Sequence, residues 1–455
     1  MRINITKALS KFVKESTFEK LPKRDIDRMK MVILETIGCM VLGSRNTTGK
    51  VLKELIKKIG GNGEATVFGT NLKTSSQNAA LINGSMGHHY EYDDGISPAM
   101  GLHAGIAITP AAIAIGENTG ASGKELICAM ITGYEIACRI GRAIGEEEGH
   151  RTSHSTPPLG SFGAMVATCK LLGLNLNEIN NAFGICGSLT SIAPFEPFVG
   201  GAMVKDMYGG WPGFYGIFVT LLAQHGFTGL QNILEAKLGF FQVITGGQYN
   251  RNKLIGGLGK NYVWTEGHYF KPHAACRAVH LIVDCIYSMK NKERINIEKI
   301  KEILVIAKPE IVHLARGGTK PGNDIQAKVS AHYSVAAALI LQHEHISPDF
   351  YNDEHLHNPK ILNLAKKVRL VSSSGPEVFH IHGHGPVEIV ITFRNGTFRK
   401  GIFNEERSLE IDKIPDKFKE MTLEVLPEKK ILQVTSMVSE LEKIKDVRLL
   451  TELLV

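Results

Sequence analysis

The chain has 455 residues, 43% hydrophobic and 21% charged, which is an ordinary globular balance with enough apolar material for more than one core and excludes a disordered chain. Its formal charge of +7 is spread through interleaved lysines and glutamates. That argues against a nucleic-acid groove, which needs a concentrated basic stripe, and leaves a mild attraction for anionic substrates.

The cysteines (Cys39, Cys128, Cys138, Cys169, Cys186, Cys276 and Cys285) are scattered without a CxxC pair, a pattern of buried thiols in a reducing compartment. The longest apolar stretches, 102–115 and 214–223, fall short of the roughly 20 residues a spanning helix needs. The start, MRINITKALSKFVKE, has no apolar secretion core and no small-residue cleavage site. A cytoplasmic protein with no membrane partner is expected.

Residues 1–265 read as helical. In 25–43, Ile26, Met29, Val32, Ile33, Ile37, Met40 and Val41 recur at three and four, and Gly43 stands where a helix end favours glycine. The stretch 124–144 repeats the pattern, with Glu135 and Arg139 four apart on one helix. Glycine and alanine are dense in GSFGAMVATCK, FGICGSL and GGWPGFYG, which suits helices in close approach.

The texture changes after about 265. Segments 300–306 and 368–372 read as strands. Segments 387–393 and 397–403, joined by Arg394-Asn395-Gly396, read as a hairpin with a tight type I′ turn. Helical stretches at 274–289 and 327–342 alternate with them. An α+β unit over 266–402 is expected, followed by a tail, 403–455, that returns to helical periodicity at 415–423 and 436–454 and packs back on the first part.

Several chemical motifs fail. GGNGEATVFG and GGLGKN match neither the dinucleotide fingerprint nor the P-loop spacing and read as turns. His380, His382 and His384 would share one face of a strand, and His343/His345 and His355/His357 repeat the spacing, but no cysteine or carboxylate cluster completes a metal set. A GxSxG nucleophile elbow does not occur.

The stretch HHYEYDDGISPAMGLHAGIAITPAAIAIGE (88–117) stands out. The paired carboxylates Asp93 and Asp94 precede His103 and an apolar helix. Histidine titrates near neutral pH and an aspartate can fix its tautomer, so the pair suits acid–base work. An acidic loop before a helix also reads as simple capping. Cations and donors recur elsewhere: Lys205 among glycines in GGAMVKDMYGGWPG, Lys271, His273 and Arg277 in YFKPHAACRAVH, His150, Arg151 and His154 in GHRTSHSTPPLG, and Tyr333 in AKVSAHYSVAAAL. Each alone reads as a surface charge or packed ring; together they suggest a pocket rich in positive charge and proton donors.

These segments, with LETIGCMVLGS, GYEIACRIGRAI, FGAMVATCKLLGL and AQHGFTGLQNILEAKLGFF, resemble in order the family of 2-methylcitrate dehydratase, cis-aconitate decarboxylase and iminodisuccinate epimerase (MmgE/PrpD) over nearly the whole chain. The resemblance implies a mainly helical body built from both chain ends, an inserted α+β lid, a cleft between them, a homodimer, and neither metal nor organic cofactor. It places functional positions at Asp94, His103, His154, Lys205, Lys271 and Tyr333.

The implied chemistry is a lyase reaction on a small polycarboxylate. Proton removal beside a carboxylate builds an enediolate that lysine, arginine and histidine can stabilise. His103 is expected to move the proton with Asp94 orienting it, Lys205, Lys271 and Arg277 to bind carboxylates beside His273, and Tyr333 and His154 to donate. Dehydration leads, ahead of epimerisation of a substituted dicarboxylate and decarboxylation; an inactive ligand-binding homologue is the non-enzyme alternative. Gly95, where many relatives have threonine, and Ala104, where many have proline, point to a substrate other than methylcitrate or cis-aconitate.

Overall fold

The structure is a computed structural model that describes residues 4–97, 101–145, 153–341, 343–373, 385–404 and 407–455. His150 with Arg151, and the run His380, His382 and His384, lie outside the described residues.

The first part is built from α1 (Ile5–Glu15), α2 (Lys23–Gly43), α3 (Thr47–Ile59), α4 (Ser76–His88), α5 (Ala104–Thr119), α6 (Gly123–Ile144), α7 (Thr156–Leu171), α8 (Leu176–Leu189) and α9 (Met207–Gln224). Helix α6 starts where a capping box closes: the Ser122 side chain accepts from Glu125 N–H while the Glu125 side chain accepts from the Ser122 backbone. Helix α5 is apolar on every side and correspondingly buried from Ala104 to Glu117, sandwiched by α4, α7 and α9. The small residues let these helices touch backbone to backbone. A Cβ on Gly84 of α4 would come within 2.7 Å of the Gly210 Cα in α9.

The second part holds a four-stranded sheet: β1 (Ile300–Ala307), β2 (Val368–Ser372), β3 (Val387–Phe393) and β4 (Phe398–Phe403), in the order β4-β3-β1-β2. Strands β1 and β2 run parallel with Ile303 opposite Val368, while β3 is antiparallel to β1 and to β4. Helices α10 (Arg277–Lys292) and α11 (Ala331–Ile340) cover the buried face. The hairpin forms, but its turn differs from the expected one. Gly396 alone of the turn has positive φ, +85°, whereas type I′ needs two such residues. Phe393 N–H bonds to the Thr397 carbonyl across the resulting three-residue loop, so pairing starts at Phe398.

The helix expected over 327–342 is broken. A short turn, Asp324–Ala327, is followed by α11, because the Ser330 side chain accepts from Tyr333 N–H and caps a new start. Helix α10 starts at Arg277 rather than 274, after Cys276 in an extended conformation.

Two large apolar clusters organise the molecule. One draws on 5–270 together with 414–454, the other on 275–391 with Phe198. The tail helices α12 (Ile414–Thr422) and α13 (Glu428–Ser439) pack on α2. Among the described residues no helix is long and apolar enough to cross a membrane.

Candidate active site

The site forms where the end of α4 runs into the acidic loop, 88–96, and the loop is gripped from three directions. Lys205 arrives from the turn before α9, Lys271 from the segment after the short strand His268–Tyr269, and His103 and His154 from the starts of α5 and α7. Gly95–Ile96 pairs antiparallel with His268–Tyr269, which ties the loop to the Lys271 segment.

Glu91 is the hub. Its carboxylate contacts Lys205 Nζ on one oxygen and Lys271 Nζ at 3.0 Å on the other, and its carbonyl also accepts from Lys271 at 3.0 Å. All three side chains are buried. Burial opposes ionisation of Glu91, but Lys205 and Lys271 outweigh it and hold its carboxyl well below the usual range. Burial likewise works against the Lys271 ammonium, yet Glu91 keeps its pKa above the ordinary lysine value. Glu91 is also the single non-glycine residue with positive φ, +53°, among the described residues, a strain the two lysines hold in place.

Asp93 serves two imidazoles at once. Its Oδ2 lies 2.9 Å from His103 Nδ1, and both its oxygens lie 3.2 Å from His88 Nδ1. Both histidines therefore direct Nδ1–H at Asp93 in their neutral forms and leave Nε2 as an acceptor. Burial, with the Lys271 charge adding to it, lowers the His103 pKa against the pull of Asp93, so His103 is neutral at neutral pH. His154 has the opposite tautomer. Its Nδ1 accepts from Thr156 N–H at 3.3 Å, which puts its proton on Nε2, and burial with His103 and His88 nearby drives its pKa well down. The two rings stack with centroids 5.7 Å apart.

The bond expected from Asp94 to His103 is made by Asp93 instead. Asp94 makes no hydrogen bond to His88 or His103 and accepts from Gly105 N–H (2.9 Å), Tyr134 Oη (3.2 Å) and His268 Nε2 (2.9 Å), locking the loop to α5 and α6. A Cβ on residue 105 would collide with the Asp94 carboxylate, so glycine there is what lets the lock close. Behind it, Glu35 accepts from Asp94 N–H at 3.1 Å, and the tail's Lys417 donates to Glu35 (2.5 Å), to the Tyr92 carbonyl (2.7 Å) and to the Lys271 carbonyl (3.0 Å).

The other predicted residues lie in the second part of the chain. Arg277 lies 3.9 Å over the Tyr269 ring and donates to Ser97 Oγ. His273 is held between Asp284 (3.2 Å) and Ile346 N–H (3.2 Å), and Tyr333 spends its hydroxyl on the Phe350 carbonyl at 2.6 Å; the contacts of both fall within that part.

The MmgE/PrpD N-terminal domain matches residues 7–252 and the MmgE/PrpD C-terminal domain matches 273–443. The chain belongs to the MmgE/PrpD family. Relatives include a cis-aconitate decarboxylase of Aspergillus terreus, 26% identical over 99% of this chain and 96% of that one. The cis-aconitate decarboxylase-like protein oryM of Aspergillus oryzae is 25% identical over 98% and 96%. Human cis-aconitate decarboxylase is 25% identical over 95% and 91%.

In this MmgE/PrpD protein, sequence reasoning missed Glu91, His88 and two further buried lysines beside the loop, Lys328 and Lys417. Lys328 reaches over from the second part to the His89 carbonyl at 2.7 Å and to Asp324 at 2.9 Å. The available signal was arithmetic: lysines that enter a core need carboxylate partners, and HHYEYDD supplies Glu91 two residues before Asp93. Among the described residues, the ligand atoms of His88, Asp93 and His103 also lie within 4.8 Å of one another, the spacing of a metal set. Their hydrogen bonds and the flanking ammoniums suit an anionic guest better than a cation.

Proposed function

We propose that this MmgE/PrpD protein is a lyase acting on a small polycarboxylate, with loss of water as the leading reaction. The observation that carries the reading is the pair of opposite tautomers on His103 and His154. His103 Nε2 takes a proton from the carbon next to a substrate carboxylate. The freed electron pair forms the carbon–carbon double bond as the C–O bond breaks, and His154 Nε2–H protonates the departing hydroxyl to give water. Asp93 holds the His103 tautomer. Lys205, Lys271 and Arg277 set positive charge around the enediolate, which supplies the stabilisation without proton transfer of their own. In this reading the sheet-bearing part acts as a lid over the helical body, and the protein works as a homodimer.

Decarboxylation is the second reading, supported by the names of the relatives at 25–26% identity. It uses the same cluster with a donor protonating the carbon that loses CO₂. Proton NMR in deuterated water with 2-methylcitrate, citrate, cis-aconitate and amino- or hydroxy-dicarboxylates separates the two. An unsaturated acid from a hydroxy-tricarboxylate is the expected result. A shortened acid replaces dehydration with decarboxylation, and deuterium wash-in without net change replaces it with epimerisation. No change and no binding across the panel overturns the reading. His103→Ala is expected to abolish turnover with an unchanged melting temperature.

A further inference from the structure

A buried carboxylate that serves two imidazoles divides its pull between them, and Asp93 is such a carboxylate. It is fully buried, and among the described residues its hydrogen-bond donors are His103 Nδ1 and His88 Nδ1. His103 meets Oδ2 at 2.9 Å, whereas His88 straddles both oxygens at 3.2 Å. The oxygen that serves His103 therefore also serves His88.

His88 is fixed for this contact from several sides. It is the last residue of α4, and its carbonyl accepts from Lys205 Nζ at 3.1 Å. Gly209 of α9 makes room for it: a Cβ there would lie 2.7 Å from the His88 Cβ and 3.1 Å from its Cγ. The ring stands edge-on to His103 and His154, with centroids 5.0 and 6.1 Å away. Its Nε2 is buried without a hydrogen-bond partner. Glu91 Oε1 lies 3.7 Å from it, beyond hydrogen-bond reach, and is already taken by Lys205. A proton on Nε2 would have no acceptor, so the proton belongs on Nδ1, against Asp93. The charged and titratable groups facing His88 are thus Glu91 and Asp93 from the acidic loop, His103 from α5, His154 from α7 and Lys205 from the turn before α9, with Lys271 on the far oxygen of Glu91.

We propose that His88 is a positioning residue for the proton-transfer step: its Nδ1–H engages both oxygens of Asp93, which stops the carboxylate from gripping His103 alone and so keeps His103 Nε2 free to accept. A carboxylate given wholly to His103 would stabilise its imidazolium and fill the place the substrate proton has to take. With the pull shared, burial and the Lys271 charge prevail, and the His103 pKa stays below the ordinary histidine value. His88 acts through Asp93 and touches no reacting atom. The inference rests on the lyase reading above and adds the group that sets the strength of its base.

The test compares His88→Leu with His88→Asn, side chains of nearly equal size of which only asparagine offers an N–H where Nδ1 stood. The His103 imidazole is followed by NMR titration of the full-length protein labelled in histidine, its signal assigned by its loss in His103→Gln. In His88→Leu the His103 titration should move up by about one pH unit, a roughly tenfold gain in proton affinity and the size of one hydrogen bond to a charged group. The acid limb of kcat/KM should move up with it, while KM on the plateau holds. His88→Asn should keep both near their wild-type positions. Equal behaviour of the two variants, or a His103 that titrates no higher in His88→Leu than in the wild type, overturns the proposal and leaves His88 a packed ring. If His88→Leu fails to fold, His88→Phe, which keeps a ring and lacks the donor, takes its place. Wild-type protein that turns over no acid of the panel above sinks the lyase reading, and the His103 titration then decides on its own whether His88 shares Asp93.

Discussion

Adjacent, equally buried aspartates do different work here, and the difference is measurable. Asp93 sets the tautomer of His103, so Asp93→Asn should lower kcat by a factor on the order of 10³ while the fold survives. Asp94 is a lock, so Asp94→Asn should cost stability more than rate; urea unfolding and initial rates on the same two proteins check both.

The pH dependence has two limbs of opposite origin. Burial pushes Glu35 up to about 8 against the pull of Lys417, and burial with the Asp93 charge pushes Asp94 up to about 7. A raised carboxyl stabilises the fold fully below its unfolded value, about 4, and loses that contribution as pH rises through the raised value. Glu91 and Asp93 are depressed, so their contribution is present above about 4 and is lost as pH falls through their folded values. The melting temperature should therefore fall between pH 6 and 9, and Glu35→Gln should flatten that slope; an unchanged slope in the variant would show that the loss comes from elsewhere. From sequence, Lys205, Lys271, His103 and His154 could be singled out because such residues stand out among glycines and apolar runs, whereas His88 and Lys328 were passed over. Glu91 was not, because alternation in YEYDD hides which carboxylate turns inward, and a positive φ leaves no trace in residue identity.

Among the elements, periodicity was a sound guide wherever one face of a helix meets a core, as in α2 and α6. It was weaker where local hydrogen bonding intervenes. Ser330 splits a helix that apolar spacing alone would continue, and one glycine rather than an Asn-Gly pair turns the hairpin. The glycine-rich stretches were read as close-packing helices, and α4 against α9 shows why. Gly210 sits so near the Leu81 carbonyl and Ser85 that a single methyl group cannot fit. Gly210→Ala should destabilise the protein by about 1–3 kcal/mol despite the better helix propensity of alanine. A denaturation midpoint at or above that of the wild type would refute the packing argument.

Across the whole molecule, the two apolar cores meet over polar ties that no motif announces, since their members are far apart in sequence. His89 lies between Asp206 (2.7 Å) and Asp324 (2.6 Å), one carboxylate from each part, with each ring nitrogen facing one of them. Lys328 fastens the same seam. Lys328→Met removes a buried cation and leaves Asp324 without its ammonium, at a cost of about 3 kcal/mol. Amide hydrogen exchange should then quicken across 324–351 more than in α5; uniform protection in both would argue against a seam role.

The brace under the acidic loop has a consequence for biosynthesis. Glu35, the loop and Lys271 are all translated well before Lys417, which alone joins Glu35 to the Tyr92 and Lys271 carbonyls. A chain still growing on the ribosome holds every histidine and the other lysines of the site, yet lacks the ammonium that ties Glu35 to the two carbonyls beneath the loop. The loop is therefore braced last, and Lys417→Met in the full-length chain, which keeps the tail helices on α2, should leave the acidic loop more open to water and to proteases.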